Sequence, residues 1–429
     1  MRQHKIPRLN GTQATLFSFL LAILAGSILL SLPVSAADGH AVPYMDALFT
    51  ATTSVCVTGL VTVPTFSTWS GFGQAVILLL IQIGGLGVIT ILSGVLITLH
   101  RRIGLGARML IQDAFNLNTL SGMVRFVKNV ILGTFAVEGA GALLYMLVFV
   151  PQYGARGVWM AVFNAVSAFC NAGMDILGPD SLCAYQANPL INAVTCLLIV
   201  LGGLGYIVWW DVLRAVRGVK KQGLRSLKTL TLHSKIALSA TALLIALGAA
   251  GVWIFEHDNP LTLGMLPLGQ QLQATLLLSL LLMFIGGSPV GTAGGVKTVT
   301  VVVLAASALA AIRNKRDTVL FHRTVPRQAV AKAVAVTGMS FAICFLSTLL
   351  LSAAADANAL DILYETVSAT ATVGLTRSLT PTLNAWGKLI IIVTMYLGRV
   401  GPISLAIAFG TRRQSENLIK EPTEEISVG

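Results

Sequence analysis

Three short stretches of this sequence could do the same chemistry: "TSVCVTGL" (Thr53–Leu60), "SAFCNAGM" (Ser167–Met174) and "SATATVGL" (Ser368–Leu375). Aligned, Cys56 falls on Cys170 and Ala371, and Gly59 falls on Gly173 and Gly374. None of the three holds a carboxylate, a histidine or a lysine, so what they offer is backbone. Small residues ending in glycine permit close packing and unusual dihedrals. The carbonyls of Cys56, Val57, Thr58 and Gly59 can then face a common axis with those of Cys170, Asn171, Ala172 and Gly173, and of Ala371, Thr372, Val373 and Gly374. A ring of such carbonyls replaces the hydration shell of a permeating cation.

The elements around these loops repeat as well. Each loop follows a short amphiphilic segment, "YMDALFTA", "GVWMAVFNAV" or "LDILYETV", and two are followed by near-identical clusters, Gly84–Gly87 and Gly202–Gly205. Those clusters read as helix-packing faces. Of the 429 residues, 55% are hydrophobic and 11% charged, which excludes a soluble globular chain. About eight apolar runs, from Leu16–Leu32 to Leu389–Phe409, are long enough to cross a bilayer, one of them interrupted. A net charge of +12 could suggest nucleic acid, but 24 of the 29 Lys and Arg residues fall in five segments that alternate with poorly basic ones. That distribution is membrane topology, with both termini cytoplasmic. A loop entering from outside cannot meet lipid with its carbonyls bare, so protein, water or ions must meet them. The expected fold is an all-α polytopic membrane protein built from span, pore helix, loop and span, over residues 1–122, 123–230, 231–325 and 326–411, with a tail at 412–429.

The third unit departs from this plan. Only Glu256–Gln271 separates its two spans, less than half the length of Pro33–Trp69 or Pro151–Pro189. A short helix and a returning loop need more chain than that, so this unit is expected to lack both its pore helix and its filter. The alternative is that "GTAGG" (Gly291–Gly295) supplies the filter, with Gln271–Ile285 as its helix.

Two charged residues sit deep in apolar context. Arg399, in "YLGRVGP", is a functional candidate, because an arginine inside a span costs several kcal/mol unless it is paired or faces water. Its donors suit loop carbonyls, and its charge would oppose a cation beneath the loops. Lys297 follows "GGSPVGTAGG" (Gly286–Gly295), whose composition breaks a span; it either snorkels to the interface or takes part in gating. Glu138 lies within a span, and Asp211 sits beside Arg214 as an ordinary ion pair. The five Cys form no CxxC, the six His show no ligand spacing, and no G-x-x-x-x-G-K-[ST] loop is present.

"ALFTATTSVCVTGL", "NAGMDILG", "MFIGGSPVGTAGGVKT", "ATVGL" and "MYLGRVGPISLAIAF" together resemble the membrane subunit of Trk/Ktr/HKT-type potassium transporters, nearly end to end. The resemblance is nearest to the Ktr subtype, since the first span starts almost at once. It implies four units around a pseudo-fourfold pore, potassium at the filter carbonyls with sodium open as a second ion, and a homodimer in the plasma (inner) membrane. It also implies a cytoplasmic nucleotide-binding ring of the KtrA/TrkA type, so any nucleotide acts through a partner. No covalent cofactor and no nucleic-acid partner is expected. Gly286, Gly287, Ser288, Pro289, Gly291, Gly294, Gly295, Lys297 and Arg399 would then form the gate. A rival expectation is a non-conducting or poorly selective remnant of such a pore that serves as a binding or assembly partner.

Overall fold

The computed structural model describes residues 11–98, 123–179, 181–260, 262–281, 285–289 and 291–401. Both chain ends, including the tail at 412–429, Asp180 and most of the basic segment after Leu99 lie outside the described residues. The chain runs through α1 (Gly11–Leu30), α2 (Tyr44–Cys56), the single turn α3 (Thr65–Thr68), α4 (Gly71–Leu86) and α5 (Val88–Thr98). It continues with α6 (Met123–Tyr153), α7 (Ala155–Cys170), α8 (Pro189–Leu204) and α9 (Tyr206–Gln222). After these come α10 (Leu232–Glu256), α11 (Leu268–Leu281) and α12 (Thr298–Ile312), then α13 (Arg327–Ala354), α14 (Ala359–Ala371) and α15 (Ala385–Val400). Two small ladders complete it: β1 (Ile285–Gly286) parallel to β2 (Val296–Lys297), and the hairpin of β3 (Val319–Leu320) and β4 (Arg323–Thr324).

Four described helices are long and apolar enough to cross a membrane: Gln13–Leu30, Val124–Tyr153, Leu232–Glu256 and Arg327–Ala354. These lie within α1, α6, α10 and α13. The apolar runs that follow behave differently. Where one interrupted span was expected, α4 and α8 also stop, at Gly87 (φ 83°, ψ 135°) and Gly205 (φ 83°, ψ 147°). Side chains other than glycine's rarely adopt such dihedrals. At Gly205 the two halves bend by 100°. Helix α15 ends in the same way at Gly401 (φ 84°, ψ 135°). The starts of these runs are capped by short polar side chains: Ser70 accepts from Gly73 N–H, Asn188 from Leu190 and Ile191, and Asn384 from Gly387.

The main apolar core joins α1, α2, α4, α6, α7, α8, α14 and α15, with Phe49, Phe163, Phe169 and Ile391 fully enclosed. Among the described residues, none between Tyr206 and Leu351 belongs to its buried set; Val303, Val325 and Ala333 form a small separate cluster. Among the described residues, α10 and α12 therefore add no buried side chain to that core. Between α10 and α11 the described residues form only turns.

Candidate ion pathway

Helices α2, α7 and α14 end in one shared device. The residue after each helix is left-handed although it is not glycine: Val57 (φ 56°), Asn171 (φ 61°) and Thr372 (φ 51°). The next amide reaches back five residues, Thr58 to Thr53 O at 2.9 Å, Ala172 to Ser167 O at 2.8 Å and Val373 to Ser368 O at 2.9 Å. This is the Schellman arrangement, which satisfies carbonyls that a helix end leaves bare. The same three residues add a side-chain bond. Thr53 Oγ1 accepts from Gly59 N–H at 3.0 Å, Ser368 Oγ accepts from Gly374 N–H at 3.1 Å, and Ser167 Oγ accepts from Met174 N–H at 3.1 Å. The hydroxyl at this place is visible in the aligned sequence, and only its role was missed there.

The glycines that follow are again left-handed: Gly59 (φ 97°), Gly173 (φ 66°) and Gly374 (φ 87°). They meet. A β-carbon on Gly59 would stand 2.6 Å from Ala172 O, 3.3 Å from the Gly173 α-carbon and 3.4 Å from that of Gly374. The three loops thus come together, with Gly59 in contact with both Gly173 and Gly374. The C-termini of three helices point into this place, and a helix C-terminus carries partial negative charge, which favours a cation.

The two glycine clusters do more than pack helices. Gly84 and Gly202 lie against the penultimate carbonyls of α2 and α7, at Val55 and Phe169, and Gly398 lies against Thr370 O of α14; a β-carbon at any of the three would collide. Counting from Gly84, Gly202 and Gly398, the next residues are Gly85, Gly203 and Arg399. Arg399 thus replaces a glycine of the pattern. Its Nη1 donates to Thr292 O at 2.5 Å and its Nη2 to Gly84 O at 2.5 Å.

Thr292 belongs to the irregular segment between β1 and β2. Ser288 N–H donates to Gly203 O (2.7 Å), Thr292 N–H to Gly202 O (3.0 Å), and Thr292 Oγ1 to Phe169 O (2.9 Å). Asn171 Nδ2 in turn donates to Thr292 Oγ1 at 2.8 Å. Gly286 packs on the Gly294 carbonyl, Gly291 on Gly203 O, and Gly294 on Thr372, while Gly295 is left-handed (φ 67°). Pro289 is half-buried in this segment. Lys297 does not extend away from the segment; its Nζ donates back to Ala293 O at 2.5 Å. The segment lies against the ends of α7 and α14.

Contacts between these helices also follow a register. Ten residues before Gly84, Gly398 and Gly202 stand Gln74, Lys388 and Asn192. Gln74 Oε1 accepts from Trp159 of α7 (2.9 Å), and Lys388 Nζ donates to Asp46 of α2 (2.5 Å). Asn192 donates to Gln186 O (2.8 Å) and to Gln273 Oε1 of α11 (3.4 Å). Glu138 is buried, with Gln82 Nε2 at 3.1 Å from its carboxylate and Cys170 Sγ at 3.9 Å. The Asp211–Arg214 pair is present at 3.7 Å, although the closer partners of Asp211 are the amide and hydroxyl of Thr231, each at 2.8 Å.

A family model described as "TrkH: Cation transport protein" matches residues 10–259 and 262–421. The chain is 38% identical to the Ktr system potassium uptake protein B of Bacillus subtilis, over 98% of this chain and 97% of that one. It is 36% identical to the potassium/sodium uptake protein NtpJ of Enterococcus hirae, over 100% and 99%. That second alignment runs 458 positions, more than the 429 residues it covers here, so part of NtpJ faces no residue of this chain. Among solved structures, the potassium transporter TrkH of Vibrio parahaemolyticus matches with a TM-score of 0.73 at 14% identity, over 95% of this chain and 86% of that one.

Proposed function

The chain belongs to the TrkH family of cation transport proteins, and on that premise we propose that it is the membrane subunit of a potassium-uptake system. Cations would pass down their electrochemical gradient, with the membrane potential supplying about 2.3 kcal/mol per charge per 100 mV. The observation that carries this reading is the convergence of Gly59, Gly173 and Gly374 at the ends of three helices closed by the same backbone turn. Carbonyls held this way suit a dehydrated cation, and none of the loops brings an acid or base of its own.

The segment from Gly286 to Gly295, with Lys297, acts as the gate in this reading, and Arg399 is its clasp. The guanidinium fixes the segment to the opposite wall through two carbonyls, and its charge stands where a cation leaving the loops would arrive. The repeat plan of four units, the homodimer, the cytoplasmic ends and the nucleotide-binding ring belong to the same proposal. The word "system" in the relatives' names supports a partner subunit. Sodium stands beside potassium because NtpJ is named for both.

The third unit, we propose, has lost its pore helix and filter. Support comes from the turns between α10 and α11, the break in the family match at 259–262, and the surplus positions in NtpJ. The contact among the three glycines favours a second reading, a pore remnant that no longer conducts. Expression in cells stripped of other potassium uptake separates the two. Growth at limiting potassium supports the first reading; absence of growth with the protein present in the membrane supports the second.

A further inference from the structure

Glu365, on α14, is a carboxylate with no exposed surface. It stands about two turns back from the end of the helix that presents the Gly374 loop. At the same register, nine residues before the loop glycine, α2 has Thr50 and α7 has Asn164. The Asn164 amide donates to Met160 O of its own helix at 2.8 Å. Of the three helices, only α14 places an acid there.

The carboxylate grips the segment that leaves the loop. Thr376 Oγ1, two residues past Gly374, donates to Glu365 Oε2 at 2.7 Å, and Thr380 Oγ1 donates to Oε1. Thr380 is itself fully buried, and its Oγ1 lies 3.2 Å from that of Thr376. Both threonines donate, which suits an ionised carboxylate, since that group only accepts. Hydrogen bonds to a charged group are also stronger than neutral ones. Two residues of extended chain span at most about 7 Å, so a shift of Thr376 is felt at Gly374. A second tie, Arg377 Nε to Asp361 Oδ1 at 2.7 Å, has its arginine 53% exposed and holds little. An apolar side chain would fill the place of Glu365 at less cost than a buried charge. What the carboxylate adds is a fixed address for Thr376 and Thr380.

We infer that Glu365 is a positioning residue of the ion pathway. Through the Thr376 and Thr380 hydroxyls it sets where the Gly374 carbonyl stands, and with it how well the loops fit a dehydrated cation. The inference rests on the proposed cation-pore reading and adds what holds one wall of that pore in place. Carbonyls out of place compensate less well for lost hydration, so potassium binding weakens and sodium gains ground.

The test is potassium and sodium entry, per folded molecule, into vesicles carrying the full chain. Glu365→Gln keeps the shape but offers one accepting oxygen where the carboxylate offers two. The half-saturating potassium concentration should rise several-fold and the potassium-to-sodium ratio should fall, with maximal entry little changed. Thr380→Val keeps the carboxylate and removes a donor, and should shift both readouts in the same direction. Combined with Glu365→Gln it should add little to either change alone, because the two act through one bond. Asp361→Asn, at the exposed tie, should change neither readout. Thr380→Val decides the matter if Glu365→Gln does not fold. Reduced yield with both readouts unchanged in Glu365→Gln and Thr380→Val makes the carboxylate merely structural and overturns the inference while the pore reading stands. A shift in Glu365→Gln without one in Thr380→Val assigns the effect to charge alone and overturns it too. A parent chain that admits neither ion overturns both.

Discussion

Arg399 holds Thr292: its Nη1 lies 2.5 Å from the Thr292 carbonyl, while Nη2 holds Gly84 O on the opposite wall at the same distance. One planar fork therefore ties the irregular segment to the end of α4. Arg399→Ala should free the segment and raise cation flux several-fold in vesicles. Arg399→Lys should resemble the alanine variant, since a single ammonium on a flexible stem does not reproduce the two-way bridge. Unchanged flux per folded molecule, with only the yield reduced, would assign Arg399 a structural role instead.

The hydroxyl staples give a second prediction. Thr53 and Ser368 each hold the amide of a loop glycine, Gly59 and Gly374. Removing the Thr53 hydroxyl leaves a buried amide unmet at a cost of about 1–3 kcal/mol, and the part-buried amide of Gly374 loses less. Thr53→Ala and Ser368→Ala should each lower the thermal midpoint in detergent, while Thr53→Ser should keep it. Equal midpoints for Thr53→Ser and Thr53→Ala would mean that the methyl, not the hydroxyl, is what matters at this site.

Much of this was legible in the sequence because repetition exposes register. The three loops, their glycines and the short third connection all follow from alignment and length. Arg399 stood out because a charge in an apolar run demands a partner. The breaks at Gly87 and Gly205 were not legible, because both halves of each run are apolar and hydropathy does not sense a dihedral angle. Nor was pairing: Asp46 and Lys388 could be assigned to the same face, but 342 residues separate them, and nothing local in the sequence joins them.

That pair supplies a third prediction. Lys388 and Asp46 are 16% and 12% exposed and 2.5 Å apart, clamping α15 to the start of α2. Removing one partner from a buried pair costs about 3–5 kcal/mol, because the other charge is left without compensation. Asp46→Asn and Lys388→Gln should each destabilise strongly, and the double variant should recover a substantial part of the loss. Additive losses in thermal unfolding would mean that the two charges are not coupled.

A fourth prediction concerns external pH. Burial raises the Asp175 carboxyl above its ordinary value, with the Ser181 hydroxyl and Leu177 amide pulling back. The group is charged above that raised value and neutral below it. Its attraction for cations is therefore present at neutral pH and lost as pH falls through the raised value, before a free aspartate would titrate. Inward flux should decline in that window, and Asp175→Asn should flatten the decline while lowering flux at neutral pH. A decline of the same size and position in Asp175→Asn would assign it to another group.

The central claim is that three convergent loops and an open fourth side make a cation pathway. It is tested most directly by purifying the full chain, sealing it into liposomes with an inside-negative potential, and measuring potassium and sodium entry side by side. The account predicts potassium entry well above that of protein-free vesicles, with sodium entering within about tenfold of it. Vesicles holding folded protein that admit neither ion would contradict it.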